Sequence, residues 1–218
     1  MNGSAGLDQK IDARRQLQSL FATAQLGYNE FVYLDLSARN DWSSTLAYTS
    51  HEKSGFFYPS VGFSLIFNKL MTLPQWVSLA KIRGAYSMVG NDIPMFITNP
   101  SSHITAGGEF LASDAAPFKD MEPEMTHSFE AGIEARFLKN RIGLNATFYK
   151  TNTRNQFFKL PTLSGDKYAY RYVNAGNIQN VGWEVSLDAV PLLTNHFKWK
   201  TEVNFSTNRN KIFHCTKR

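Results

Sequence analysis

Residues 125–150 read MTHSFEAGIEARFLKNRIGLNATFYK, and the fold is decided there. Phe129, Ala131, Ile133, Ala135 and Phe137 alternate with Glu130, Glu134 and Arg136. Beyond a tight turn at Lys139-Asn140, Ile142, Leu144, Ala146 and Phe148 alternate with Asn145 and Thr147. Successive side chains of a strand point to opposite faces, so this period of two describes a hairpin with one apolar and one polar face. Both arms exceed the usual strand of about 5–6 residues in a soluble domain. A strand tilted through a bilayer needs about 9–11.

The same pattern recurs in both directions. Strands are predicted at 19–28, 31–39, 58–67, 79–89, 125–137, 141–150, 178–189 and 197–208. Short connections (29–30, 68–78 with one helical turn, 139–140, 191–196) alternate with long ones (40–55, 90–124, 153–176). Short turns at one end and long loops at the other are the habit of an outer-membrane barrel, and a Greek-key sandwich has no reason to segregate them. One face carries Leu34, Phe63, Ile82, Ile133, Val185 and Val203 with no charge, although 19% of the chain is charged. The other carries Asp35, Arg83, Glu134, Asp188 and Glu202 among Ser, Thr and Asn. Aromatic residues gather at the strand ends. Tyr28, Phe31, Trp76, Phe137 and Trp199 lie near the short turns, and Trp42, Phe56, Phe57, Tyr58, Phe157 and Phe158 near the long loops, as two interfacial girdles would require.

The chain has 218 residues and a formal net charge of +5, too mild an excess to call for nucleic acid. Lys198, Lys200 and Arg209 interleave with Trp199 and Phe205, but alternation assigns bases and rings to opposite faces, which argues against a nucleic-acid reader. A 43% hydrophobic content suits a folded chain, and 14% aromatic favours strands. The single cysteine, Cys215, excludes a disulfide framework. No apolar run reaches transmembrane-helix length, and the first residues show no basic leader or apolar core of a signal peptide.

Catalytic and metal signatures are missing. The five histidines never pair at i, i+4, and no H-E-x-x-H, G-x-S-x-G or P-loop occurs. Glu130 and Glu134 share a face but stand about 13 Å apart at about 3.3 Å per residue, beyond glycosidase carboxylate spacing of about 5–9.5 Å. The reading is therefore not an enzyme, with no cofactor and no metal.

Several stretches resemble a known family when taken in order: Ala38-Arg39-Asn40-Asp41-Trp42-Ser43-Ser44-Thr45, Tyr58-Pro59-Ser60-Val61-Gly62-Phe63-Ser64, and Lys81 to Asn91 (KIRGAYSMVGN). Glu122-Pro123-Glu124, Asn174-Ala175-Gly176-Asn177-Ile178, Gly182-Trp183-Glu184 and Asn204 with Asn208, Lys211 and Ile212 follow. With these the sequence resembles the barrel of a SusC/RagA-type TonB-dependent outer-membrane transporter of the Bacteroidetes, over roughly residues 17–212. That resemblance implies an all-β, antiparallel up-and-down meander of about eight long strands, a segment of a larger plugged transmembrane β-barrel of 22 strands. It further implies import of oligosaccharides, or in some members peptides, across the cell outer membrane. The partners implied are a SusD-like lipoprotein lid, the TonB complex acting through a plug domain that the chain does not show, and outer-membrane lipid. The domain reading is an N-terminal loop segment at 1–16, a partial barrel at 17–212 and a non-family tail at 213–218, as for a piece of a longer reading frame.

Substrate contacts are expected from the loop aromatics Tyr168, Tyr170 and Tyr172 and from Trp42, whose flat apolar faces and polar tips suit sugar rings. The competing role is packing of the loop against the barrel. Two other architectures are compatible with the alternation: a soluble carbohydrate-binding or adhesin-like β-sandwich, and a self-contained eight-stranded membrane barrel.

Overall fold

The computed structural model describes residues 14–213 except positions 54, 101, 105–107, 109, 112, 119 and 120. Its strands are β1 (Leu17–Tyr28), β2 (Val32–Ser43), β3 (Phe56–Ile66), β4 (Val77–Asn91), β5 (His103–Ile104), β6 (Phe110–Leu111), β7 (Glu124–Phe137), β8 (Ile142–Pro161), β9 (Tyr170–Leu193) and β10 (Lys198–Phe213). Eight of them form one antiparallel sheet in the order β1-β2-β3-β4-β7-β8-β9-β10, while β5 and β6 make a small hairpin inside the loop after β4. Every strand of the large sheet bonds its neighbour in the meander, and β1 and β10 are open edges.

Turn chemistry sets the registers. Asn29 and Glu30 both hold positive φ, 45° and 58°, which matches the twist of a two-residue hairpin turn. Leu138, Lys139 and Asn140 hold φ of 53°, 56° and 65° between β7 and β8. The helical turn expected in 68–78 forms at Phe67–Leu70. Its Lys69 donates to Glu30 across the adjacent turn at 2.6 Å, a hydrogen bond that holds the Glu30 carboxyl below its ordinary range.

These registers keep the two faces separate across the whole sheet. One row runs Tyr28, Val32, Leu65, Ile82, Ile133, Ala146, Val185, Phe205, one residue per strand and all apolar or aromatic. A sandwich would cover this face with a second sheet. None covers it: Phe63, Ile133, Trp183 and Phe205 are 41–60% exposed. The sandwich alternative is thereby corrected, because one sheet cannot enclose a core by itself.

Three sequence expectations need revision. Segment 153–176, read as a loop, is mostly strand: β8 runs on to Pro161 and β9 begins at Tyr170, paired in unbroken register. Asn155 at φ 58° and Gly176 at φ 83° stand in this stretch as a local kink. Such residues read as strand breakers, yet here they bend a hairpin without ending it. Phe56, assigned to an aromatic girdle, is 5% exposed in a buried cluster with Leu46, Ile93, Ile97 and Met121. Arg209, assigned to the polar face, sits opposite Val181 on the apolar side, two residues along from Thr207 and four from Phe205. Simple alternation along β10 sets it apart from Lys198 and Lys200, which stand an odd number of residues away. β10 also runs five residues past the expected 197–208, to Phe213, while 1–13 and 214–218 lie outside the described residues.

Candidate functional site

The polar face presents a level row of small hydrogen-bonding residues across all eight strands. Thr23, Ser37, Ser60, Ser87, Ser128, Thr151, Asn180 and Asn210 are successive cross-strand partners. Ser37 and Ser60 bond at 2.7 Å, and Asn210 Nδ2 donates to Asn180 Oδ1 at 2.9 Å. Toward the short turns this face becomes charged. Arg83 donates to Thr147 at 2.7 Å and Asn145 at 3.1 Å, beside a 320 Å³ depression shared with Glu184 and Asn204. Arg136 clasps Asp188 nearby. A face of hydroxyls, amides and paired charges suits contact with water. Among the described residues no group of His, Cys, Asp and Glu has metal-binding geometry.

At the long-loop end the connections after β2 and β4 fold together. Asp41 is 4% exposed and accepts from Arg39 Nε at 2.7 Å and from the Tyr58 hydroxyl. Asp92 accepts from Ser43 Oγ at 2.7 Å and from Thr45, and pairs with Arg15. Together these bonds fasten both loops to the end of β2. Above them the Leu46–Met121 cluster packs on Phe56 and Tyr58, which share the polar face with Arg39 and Asp41. Phe157 and Tyr172 of β8 and β9 pack on the same cluster. In the sheet order β3 and β8 are separated by β4 and β7, so the loop core bridges strands that do not touch. Asn174 completes the closure: it accepts from the Glu122 amide at 2.8 Å and donates to the carbonyls of Glu122 and Asn155.

The expected contact residues do not converge. Tyr172 is a packing residue, against Phe157 and Tyr170. Lys159 Nζ lies 3.5 Å above the Tyr170 ring, and Tyr170 also bridges to Ala115. Tyr168 stands in the turn between β8 and β9, its ring approached by Lys167 at 5.3 Å. Trp42 is remote in register: it alternates with Asp41 onto the apolar side of β2, where its indole N–H donates to Lys53 O at 3.1 Å. The Asp41 and Asp92 hubs were missed from sequence. The available signal was the polar spacing Asp41-x-Ser43-x-Thr45, which strand alternation aims at one side.

A single sheet of long strands, apolar without and polar within, open at both edges, defines a piece of a transmembrane β-barrel wall. Residues 2–212 match the family model for the TonB dependent receptor-like β-barrel, and the chain belongs to that family. Relatives include TonB-dependent receptor P39 of Formosa agariphila, 25% identical over 205 residues, covering 90% of this chain and 19% of that protein. TonB-dependent receptor SusC of Bacteroides thetaiotaomicron is 24% identical, covering 94% of this chain and 22% of its own length. Among solved structures, the RagAB peptide importer in its open-open state superposes with a TM-score of 0.81 at 23% identity, covering 93% of this chain and 22% of that one. The likeness is thus of SusC/RagA type, and the chain spans about a fifth of the length of these relatives.

Proposed function

We propose that this chain is part of the wall of an outer-membrane transporter that imports oligosaccharides or peptides. Its apolar face meets lipid and its polar face borders the channel. The observation that carries the reading is the uninterrupted apolar row from Tyr28 to Phe205, left bare on a sheet whose reverse side is a row of hydroxyls and amides. Charge is excluded from the first row because an Arg or Lys at the bilayer midplane costs about 2–4 kcal/mol. The loop core at the far end makes a fixed rim, on which a SusD-like lipoprotein lid would seat, and Tyr168, half-buried in the turn between β8 and β9, is a candidate to meet a passing sugar. A plug domain and the TonB complex would supply gating and energy.

Deleting the coding segment in the native host and measuring growth on a panel of oligosaccharides and peptides tests this. Loss of growth on one such class, with the tagged protein in the outer-membrane fraction, is expected. Unchanged growth on every class together with a soluble protein would contradict it.

A further inference from the structure

The apolar face changes character abruptly at the long-loop end of β8–β10. Following the register upward, the row Phe148, Trp183, Thr207 is succeeded by Lys150, Val181, Arg209, then by Asn152, Gln179, Lys211, then by Arg154, Asn177, Phe213. Four cations thus enter a face that has none below them. No Asp or Glu occupies that face on any of the eight long strands up to the kink at Asn155, since Asp35, Glu130, Glu134, Glu184, Asp188 and Glu202 all point to the other side. Lys150, Arg154 and Arg209 are exposed and form no ion pair among the described residues, and Lys211 there meets the Phe213 ring, 4.8 Å away. The amides between them are already engaged, Asn152 donating to Asn177 at 3.0 Å and Gln179 to Asn152 at 3.3 Å. The cations alone are left to find a partner.

Height on the wall identifies that partner. From Ala189 to Val181 the face of β9 is apolar for about 26 Å of strand at about 3.3 Å per residue. With a tilt of about 40°, that spans most of an apolar band about 25 Å tall. Lys150 and Arg209 therefore flank the level where hydrocarbon gives way to headgroups, on the side of the long loops. β1–β4 show no such patch: at the same end their face carries Ala22, Ala38, Pro59 and Met88.

We propose that Lys150, Arg154, Arg209 and Lys211 form an outward docking surface for the phosphate groups of outer-leaflet lipids, holding an anionic lipid against β8–β10. This rests on the membrane-wall reading above. Long cationic side chains extend along apolar surface while their heads reach a polar layer, and two Arg offer paired donors to phosphate oxygens.

The test uses the full-length protein in detergent micelles doped with phosphatidylglycerol or phosphatidylcholine, with bound lipid counted by native mass spectrometry. Wild type is expected to prefer phosphatidylglycerol by about tenfold or more. The variant Lys150→Gln, Arg154→Gln, Arg209→Gln, Lys211→Gln is expected to bind both alike. A control of equal charge loss at the other end of the strands, Lys81→Gln, Lys139→Gln, Lys198→Gln, Lys200→Gln, is expected to keep the preference. Where the fourfold variant fails to show a heat-modifiable band, the pair Lys150→Gln, Arg209→Gln is expected to lose most of it. A wild type with no preference, an equal loss in the control, or displacement of the lipid by inorganic phosphate at equal concentration overturns the proposal alone. A wild type that enters neither micelles nor bilayers overturns the membrane reading beneath it.

Discussion

Arg136 holds Asp188 through one guanidinium nitrogen that reaches both carboxylate oxygens, at 2.9 and 2.8 Å, across the β8 strand that lies between them. The bond passes over Gly143, the partner of both residues in the register, where a Cβ would strike the Arg136 and Asp188 side chains. The glycine thus leaves room for this clasp, whose side-chain ends would have to move aside for a Cβ.

Gly143→Ala is therefore expected to separate this pair, and Arg136→Gln to leave a partly buried carboxylate short of a donor. Each should cost about 1–3 kcal/mol. The readout is the temperature at which the assembled protein loses its heat-modifiable mobility in gels. No change in either variant would show the clasp to be idle.

A second close approach lies at Gly182. It is buried between Tyr149 and the Thr207 carbonyl, and a Cβ there would meet the backbone oxygen as well as the tyrosine ring. Since backbone cannot swing aside, Gly182→Ala is expected to impair assembly more than Gly62→Ala, whose nearest neighbour, the Asp35 Cβ, is at an ordinary 3.5 Å. Equal yields of the two variants in the membrane fraction would count against this packing.

The loop rim depends on Asn174, which makes three hydrogen bonds to Glu122 and Asn155. Asn174→Leu removes all three and leaves the Glu122 amide without its acceptor, at a cost of about 1–3 kcal/mol. Faster cleavage of the 92–123 loop by protease added to intact cells is the expected outcome. Cleavage at the wild-type rate would mean that the Leu46–Met121 core holds the loop unaided.

Much of this architecture was legible in the residues. Period-two alternation placed all eight long strands, and Asn29-Glu30 and Lys139-Asn140 marked their turns, because both signals are local. The 153–176 segment was not legible. Asn155 and Gly176 look like ends when each is read alone, and only their placement opposite one another converts them into a bend. The face of Arg209 was legible and misassigned: it stands four residues from Phe205, so alternation along β10 puts it with the rings and not with Lys198 and Lys200. Phe56 is buried by Leu46, Ile93, Ile97 and Met121 of the loops, and Asp41 is held by Tyr58 of the next strand; contacts of such sequence separation leave no periodic trace. Of the four expected contact residues, alternation alone would have moved Trp42 to the lipid side.

The two faces should also differ in their tolerance of charge. Leu34→Arg or Val185→Arg places a cation in the apolar rows and is expected to cost about 2–4 kcal/mol near the midplane. Ser37→Arg or Ser186→Arg adds it to the polar side, beside residues such as Glu202. Only the first pair should lower the amount of protein in the outer membrane, and similar losses in all four would remove the distinction.

The most direct measurement is residue-by-residue exposure in the membrane. With Cys215→Ser as background, single cysteines at Phe63, Ile133 and Val185 are compared with cysteines at Ser64, Glu134 and Ser186, each carrying a fluorophore, in bilayers containing brominated lipid. Quenching by the lipid at the first three, and labelling by a water-borne maleimide at the last three, is the predicted result. Aqueous labelling at Phe63, Ile133 and Val185, with lipid quenching at their neighbours or nowhere, would contradict a wall that is greasy on one side and wet on the other.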